Sequence, residues 1–365
     1  MKIAYGIHGY GQGHATRAWA VLQDLQRRHD VRIFAGGNAY QTLRGTFDIC
    51  EIPSFGFVYR GTRSSKWRTL VHNLPYALDV LMGGAVTRRV ITELRSFVPD
   101  VVICDCEPWT FRAAGFLSIP RIAFDHFGIM VRCKVPMPLW ERLRGSVDRM
   151  IYRLLVGRAE RALVSSFYRA APRSDDVRVV GPLLRAQARA ITPVRSSYVL
   201  AYFNKGADQL KQSVFEALCG AGVDIRLYGA DRTGRLGNLY FQPRSDEAFL
   251  RDLAGCRAVI STAGNQLVGE AMMYGKPFLA IPEASVEQHM NASAISALGI
   301  GEWSEPTQLT SERIRAFLER EHEYAQNAKS MALDGREEAV ETLERWCDEL
   351  RRQRALKNRF RESVA

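Results

Sequence analysis

The chain has 365 residues, 47% hydrophobic and 24% charged, a globular composition long enough for two α/β domains and without the run of about 18 apolar residues that a membrane-spanning helix needs. Its net charge of +11 is uneven: residues 1–185 hold 27 basic against 15 acidic side chains, residues 186–350 hold 17 against 23, and the last fifteen hold 6 against 1. The basic ends are expected to meet something anionic, either phosphates or a lipid surface.

The opening Met1-Lys2-Ile3-Ala4-Tyr5-Gly6-Ile7 runs straight into glycines, without the apolar segment and cleavage site of a secretory signal, so a cytoplasmic location is expected. Short apolar runs at 2–7, 31–36, 101–104, 121–124, 162–165 and 177–180 alternate with helical segments, which predicts parallel strands with crossover helices. Residues 173–176 and 188–197, the latter with Pro193, lack periodicity and mark a linker. The alternation restarts at 198–203, 224–228, 238–241, 258–261 and 278–281, predicting a second doubly wound sheet. From Ser311 the chain reads as helical and charged. The expected organisation is a first domain over residues 1–187, a second over 195–345 and a basic helix or tail over 346–365. Seven cysteines with no C-x-x-C spacing read as buried thiols; Cys104 and Cys106 flank Asp105, but no further pair completes a metal set.

In each half, one strand ends in small residues just before a helix. Strand 2–7 leads into His8-Gly9-Tyr10-Gly11-Gln12-Gly13-His14, where glycines admit positive φ and let a ligand approach the backbone at a helix start. Such a run also suits a tight turn or a dinucleotide site, yet strand 31–36 ends in no acidic residue to hold an NAD ribose. His14 adds a titratable group there, with a helix cap as the plainer reading. Strand 258–261 leads into Thr262-Ala263-Gly264-Asn265-Gln266, whose small residues leave amides for a diphosphate at a helix N-terminus. Glu270, about two turns along, suits a bidentate grip on a ribose diol. After strand 278–281 come Glu283 and the pair Glu287-Gln288, which offers acceptors and donors to several sugar hydroxyls; an exposed helix start is the plainer reading.

Residues 261–301 resemble the donor-binding domain of GT-B glycosyltransferases, especially the MurG-like group, and the plant UDP-glycosyltransferase signature: Gly264 in a small-residue motif, Glu270 six residues on, then Pro282 and Glu287-Gln288. The run from Gly9 to His14 is similar to the N-terminal glycine loop of that superfamily, which ends in histidine. The resemblance implies a GT-B fold, two Rossmann-like doubly wound α/β domains facing a cleft. It also implies a hexosyltransferase moving sugar from a nucleotide diphosphate donor, a UDP-sugar, to an acceptor hydroxyl. On this resemblance His14 is the acceptor-activating base and Asp105 its orienting partner. The donor set is Gly11, Gly13, Asn204, Lys205, Phe241, Gln242, Thr262, Ala263, Gly264, Asn265, Gln266, Glu270, Glu283, Glu287 and Gln288. Asn265-Gln266-Leu267 departs from the plant Trp-Asn-Ser, and Phe203-Asn204-Lys205-Gly206 from the longer MurG loop, which leaves the donor open.

A histidine base with an amide-stabilised diphosphate predicts an inverting reaction that needs no metal and no cofactor beyond the nucleotide sugar, consistent with the lack of a D-x-D motif beside a strand. Residues 132–161 carry eight basic against three acidic side chains, with Leu139, Trp140, Leu143, Val147, Met150, Ile151, Leu154 and Leu155 at helical spacing. That pattern suits an anionic membrane surface and a lipid-linked acceptor, or else a helix with an ordinary core face. A nucleotide-sugar hydrolase or 2-epimerase of the same fold is the alternative. A nucleic-acid binder is suggested by charge alone, with no recognisable module, so no nucleic-acid partner is expected.

Overall fold

Strand β1 (Lys2–Ile7) sends Ile3, Tyr5 and Ile7 into one apolar cluster and Ala4 into another on the opposite face; strand β2 (Asp30–Ala35) does the same with Ile33 and Ala35 against Phe34. Helices therefore cover both faces of this sheet. A computed structural model describes the chain except residues 57–58, 61–62, 65, 136–138, 204, 207–208, 231, 332–333 and 365. Two compact units emerge: Met1–Tyr59, Ser65–Leu183 and Gly335–Ala365 form unit 1, and Arg60–Ser64 with Leu184–Asp334 form unit 2.

Unit 1 adds β3 (Ile49–Glu51), β4 (Val101–Asp105), β5 (Arg121–Asp125), β6 (Arg161–Ser165) and β7 (Val177–Val180) in the order β7-β6-β5-β4-β1-β2-β3, parallel throughout. Its helices include α1 (Gln12–Arg28), α2 (Lys66–Met82), α3 (Ala85–Phe97), α4 (Pro108–Phe116) and α5 (Leu139–Val156). Helix α1 ends on Arg27 and Arg28, cations that suit the negative end of its dipole. Its Ala18, Val21, Leu22 and Leu25 bury against β1, whereas Trp109 and Ala113 of α4 bury on the other face.

Unit 2 contains β8 (Val199–Tyr202), β9 (Ile225–Tyr228), β10 (Gly234–Leu236), β11 (Leu239–Phe241), β12 (Val259–Ser261), β13 (Phe278–Ala280) and β14 (Gly301–Trp303). The order is β10-β11-β9-β8-β12-β13-β14, with only β10 antiparallel. Without that edge strand it is the doubly wound order 3-2-1-4-5-6. Helices α6 (Gln212–Cys219), α7 (Asn265–Met273), α8 (Val286–Ala297) and α9 (Ser311–Glu319) belong to it. Of these, α6 and α9 bury Val214, Leu218, Ile314 and Phe317 with the inward residues of β8 and β9.

The boundary between units falls at Leu183–Leu184, and the last helix, α10 (Arg336–Val364), corrects the expected division. Residues 335–345 were expected with the second domain, yet they join unit 1. The cause is apolar: Ala339, Val340, Leu343, Trp346, Cys347 and Leu350 enter the cluster beneath β1 and α1. Each large side chain so buried contributes about 1.5–3 kcal/mol, and Arg336 adds a hydrogen bond to the Ala20 carbonyl at 3.0 Å. The basic helix or tail expected over 346–365 is thus the end of an amphipathic helix with a core face in unit 1.

Candidate active site

In a doubly wound sheet the connections leave strands 1 and 4 toward opposite faces, so their carboxyl ends open a crevice suited to ligands. In unit 1 that point lies between β1 and β4. The His8 amide donates to the Asp105 carbonyl at 2.9 Å, and α1 begins behind Gly11, whose φ of 82° is left-handed. Gly11 is the N-cap and gives the first-turn amides no side-chain acceptor. A Cβ added to Gly11 or Gly13 would meet nothing within 4 Å. Gly9 differs, since a Cβ there would fall 2.4 Å from the Gly36 carbonyl oxygen.

His14 sits in the first turn of α1 with Nδ1 2.8 Å from Asp105 Oδ1. Arg17, three residues on and so on the same helix face, lays its guanidinium across the same carboxylate. Its Nε donates to Oδ2 at 2.9 Å, and Nη2 lies 2.7 Å from both oxygens. Asp105 is 0% exposed and Arg17 4%. Burial pushes the Asp105 carboxyl up, but Arg17 and then His14 override it and hold the group at about 2. Burial also opposes the Arg17 charge, and Asp105 reverses that, raising its pKa. An ionised carboxylate only accepts, so the Nδ1 proton is assigned to His14 as donor and Nε2 keeps its lone pair. The 3.0 Å approach of Arg17 Nη2 to Nδ1 is then two donors converging on one acceptor. His14 itself stays 24% exposed. The His8 ring stands edge-on to it at 5.0 Å, and burial, reinforced by His14, lowers the His8 pKa to about 3.

The loop after β4 is anchored by Glu107, the N-cap of α4, which accepts from the Trp109 and Thr110 amides at 2.7 and 2.8 Å. Burial raises this carboxyl to about 7 against the pull of those bonds. It also explains Gly6, where a Cβ would lie 2.7 Å from Glu107 Oε2. Beyond it, Asp125 accepts from the Tyr152 hydroxyl at 2.7 Å, and His126 Nδ1 lies 2.8 Å from the Ser165 carbonyl.

In unit 2 the switch point lies between β8 and β12, where Ser261 Oγ donates to the Tyr202 carbonyl at 2.6 Å. The turn Thr262-Ala263-Gly264 is tightened by the Gly264 amide donating to the Thr262 carbonyl at 2.8 Å and held by Asn291 Nδ2 on the Ala263 carbonyl at 2.9 Å. Gly264, the N-cap of α7, gives the amides of Asn265 and Gln266 no capping side chain, and a Cβ on it would meet nothing within 4 Å. By contrast Ser285 caps α8 and Thr310 caps α9.

The structure brings Lys205, Glu283 and Gln288 together. Lys205 Nζ lies 2.8 Å from both Glu283 oxygens, Gln209 Nε2 donates to Glu283 Oε1 at 2.8 Å, and Gln288 Oε1 accepts the Glu283 amide at 2.8 Å. Glu287 occupies the first turn of α8 beside them. Asn204 lies outside the described residues. Glu270 stands apart: it is 1% exposed, and its two oxygens accept from Arg185 Nε and Nη2 at 2.8 Å each, with Gln266 Nε2 at 3.1 Å from Oε1. The carboxylate expected to face a ribose diol faces a guanidinium. Phe241 is 4% exposed, with the Arg232 guanidinium 3.6 Å from its ring centroid, and the Gln242 amide donates to the Leu227 carbonyl. Gly11 and Gly13, read with the donor set, lie in unit 1 beside His14.

Arg17, Arg185 and Gln209 were not singled out from the sequence. Arg17 left one signal, a cation three residues after His14 and so on the same helix face. Arg185 and Gln209 left none.

Two doubly wound sheets, each with polar side chains and an uncapped helix start at its switch point, define a GT-B glycosyltransferase. A relative from Methanosarcina acetivorans described as an uncharacterized glycosyltransferase is 24% identical over 352 residues, 88% of this chain and 91% of its own. The calicheamicin glycosyltransferase CalG4 shares the fold with a TM-score of 0.68 at 17% identity, covering 94% of this chain and 98% of its own. MurG of Acinetobacter baumannii does so with a TM-score of 0.61 at 17% identity, covering 94% and 99%. The chain belongs to glycosyl transferase family 1, whose model matches residues 1–321.

Proposed function

We propose that this glycosyltransferase moves a hexose from a nucleotide diphosphate donor, a UDP-sugar, to an acceptor hydroxyl met at the face of an anionic membrane. The reading further holds that the anomeric carbon inverts and that no metal ion takes part. The observation that carries it is the His14–Asp105 contact at the switch point of unit 1. With Nδ1 engaged, Nε2 takes the acceptor proton. The acceptor oxygen bonds the anomeric carbon as the bond from that carbon to the diphosphate breaks, and the electron pair leaves on the diphosphate. In unit 2 the α7 N-terminus behind Gly264 and the Lys205 ammonium suit that developing charge, a preorganised arrangement that makes a metal unnecessary. Because Lys205 is held on Glu283, a diphosphate must share that ammonium.

His14→Ala should lower transfer by about a hundred- to ten-thousandfold while donor affinity, measured by calorimetry with UDP- and dTDP-sugars, stays unchanged. A product that keeps the donor's anomeric configuration by NMR would remove His14 from this role. Release of free sugar as the main product would favour a hydrolase.

A further inference from the structure

Helices α2 and α5 each bury one face and leave a second apolar face in solvent. Among the described residues seventeen large apolar side chains stand exposed, and eleven of them lie on these two helices. On α2 they recur at intervals of three and four from Trp67, 72% exposed, to Met82, 79% exposed; on α5 they recur from Leu143 to Leu154. Both helices contact each other and α4. Neither stripe is the core face of its helix, because the inner faces are already occupied. Val80, Tyr152 and Val156 are buried, Asp79 accepts from the Val86 and Thr87 amides and from Trp109 Nε1, and Tyr152 bonds Asp125. Eleven exposed large apolar side chains on two touching helices exceed the scattered apolar residues of an ordinary monomer surface and mark a contact site.

Charge identifies the occupant. The two helices carry six basic and three acidic residues, and Asp79 among the acids is committed to the start of α3. Unit 1 as a whole holds 32 basic against 22 acidic side chains and unit 2 holds 18 against 17, so nearly all the positive charge resides in the unit that bears this face. A second copy docked here would bring like charges together. An anionic lipid surface complements them, and two helices lying flat with an apolar stripe, a terminal tryptophan and flanking arginines match interfacial insertion. We propose that α2 and α5 together form a monotopic docking face for an anionic bilayer, with the exposed leucines at the acyl boundary and Arg68 and Arg153 among headgroup phosphates. The sequence pattern in 132–161 pointed to α5 alone; α2 supplies the larger half. This inference rests on the proposed membrane-facing reaction only for its purpose, since binding is read without turnover.

The full chain should co-float with vesicles of phosphatidylcholine carrying about 30% phosphatidylglycerol, more weakly with phosphatidylcholine alone, and less at high salt. Leu70→Gln/Leu74→Gln/Leu78→Gln and, separately, Val147→Gln/Ile151→Gln/Leu154→Gln should each weaken that binding by more than about tenfold without lowering the thermal midpoint or donor affinity. Brominated lipid should quench tryptophan emission in the native chain and less so in Trp67→Phe. The proposal is overturned if the native chain ignores anionic vesicles, if both triple variants bind as well as it does, or if the chain is a dimer that either variant turns to monomer without change in vesicle binding. A native chain that ignores anionic vesicles yet transfers sugar to a water-soluble acceptor would sink the docking face alone; the His14→Ala result bears on the chemistry alone.

Discussion

Because Asp105 is wholly buried, its charge persists only while Arg17 and His14 face it, and Arg17 supplies the larger share of that support. Arg17→Met leaves a buried carboxylate beside an imidazole alone, a change that costs about 3–5 kcal/mol for a broken buried pair. Chemical denaturation should register that loss, and transfer should fall with it as His14 loses its fixed partner. Arg17→Lys should restore part of the stability, since an ammonium keeps the charge without the two-pronged grip. Acidification tests the neighbouring histidine. His8 has a folded pKa of about 3 against an ordinary value near 6.5, so its stability contribution is complete above about 6.5 and is lost as pH falls toward 3. Asp105, at about 2, adds its own loss only below about 4. Glu107, raised to about 7, contributes stability over the same window as it protonates, so the test is a difference: between about pH 6.5 and 4.5 the thermal midpoint of His8→Gln should fall less, or rise more, than that of the native chain; equal slopes would show that His8 does not govern acid stability.

Helix starts separate glycines that shape the fold from glycines that leave room for something else. A Cβ at Gly36 would lie 2.1 Å from the Ile52 carbonyl oxygen, so Gly36→Ala should prevent proper folding of unit 1, seen as loss of soluble protein. Gly13 and Gly264 have neither a close neighbour nor a positive φ. Gly13→Ala should hold or raise the thermal midpoint, by the roughly 0.5–1 kcal/mol that glycine costs inside a helix, and Gly264→Ala should leave it unchanged. If ligands approach these backbones, calorimetry will show weaker donor binding for Gly264→Ala and kinetics a higher acceptor KM for Gly13→Ala; unaltered binding in both would remove the two helix starts from the site. Strands of four or more residues were legible because apolar runs bounded by polar turns stand out. The edge strands Ile49–Glu51, Gly234–Leu236 and Gly301–Trp303 were not, since each mixes glycine or charged residues into three positions instead of forming an apolar run, and pairs only because a sheet edge awaits it.

For the molecule as a whole, the assignment of Gly335–Ala365 to unit 1 has a direct consequence. Removing residues 335–365 uncovers the α1 and β1 side chains now packed on Leu343, Trp346 and Leu350, so amide exchange should quicken across unit 1 while unit 2 keeps its protection. Equal loss in both units would place the helix in a different structural role. Local order was readable from the chain because it depends on neighbours: the period of the strands, the glycines before α1 and α7, and the residue types at His14, Asp105 and Gly264. Which partners those residues hold was decided by folding. Arg17 reaches an aspartate 88 positions away, and Glu270 meets Arg185 across 85, because parallel strands bring distant loops to one sheet edge and no local pattern encodes which charges then coincide. The destination of the last helix was settled the same way, by the apolar surface it covers, which the spacing of its own residues does not name.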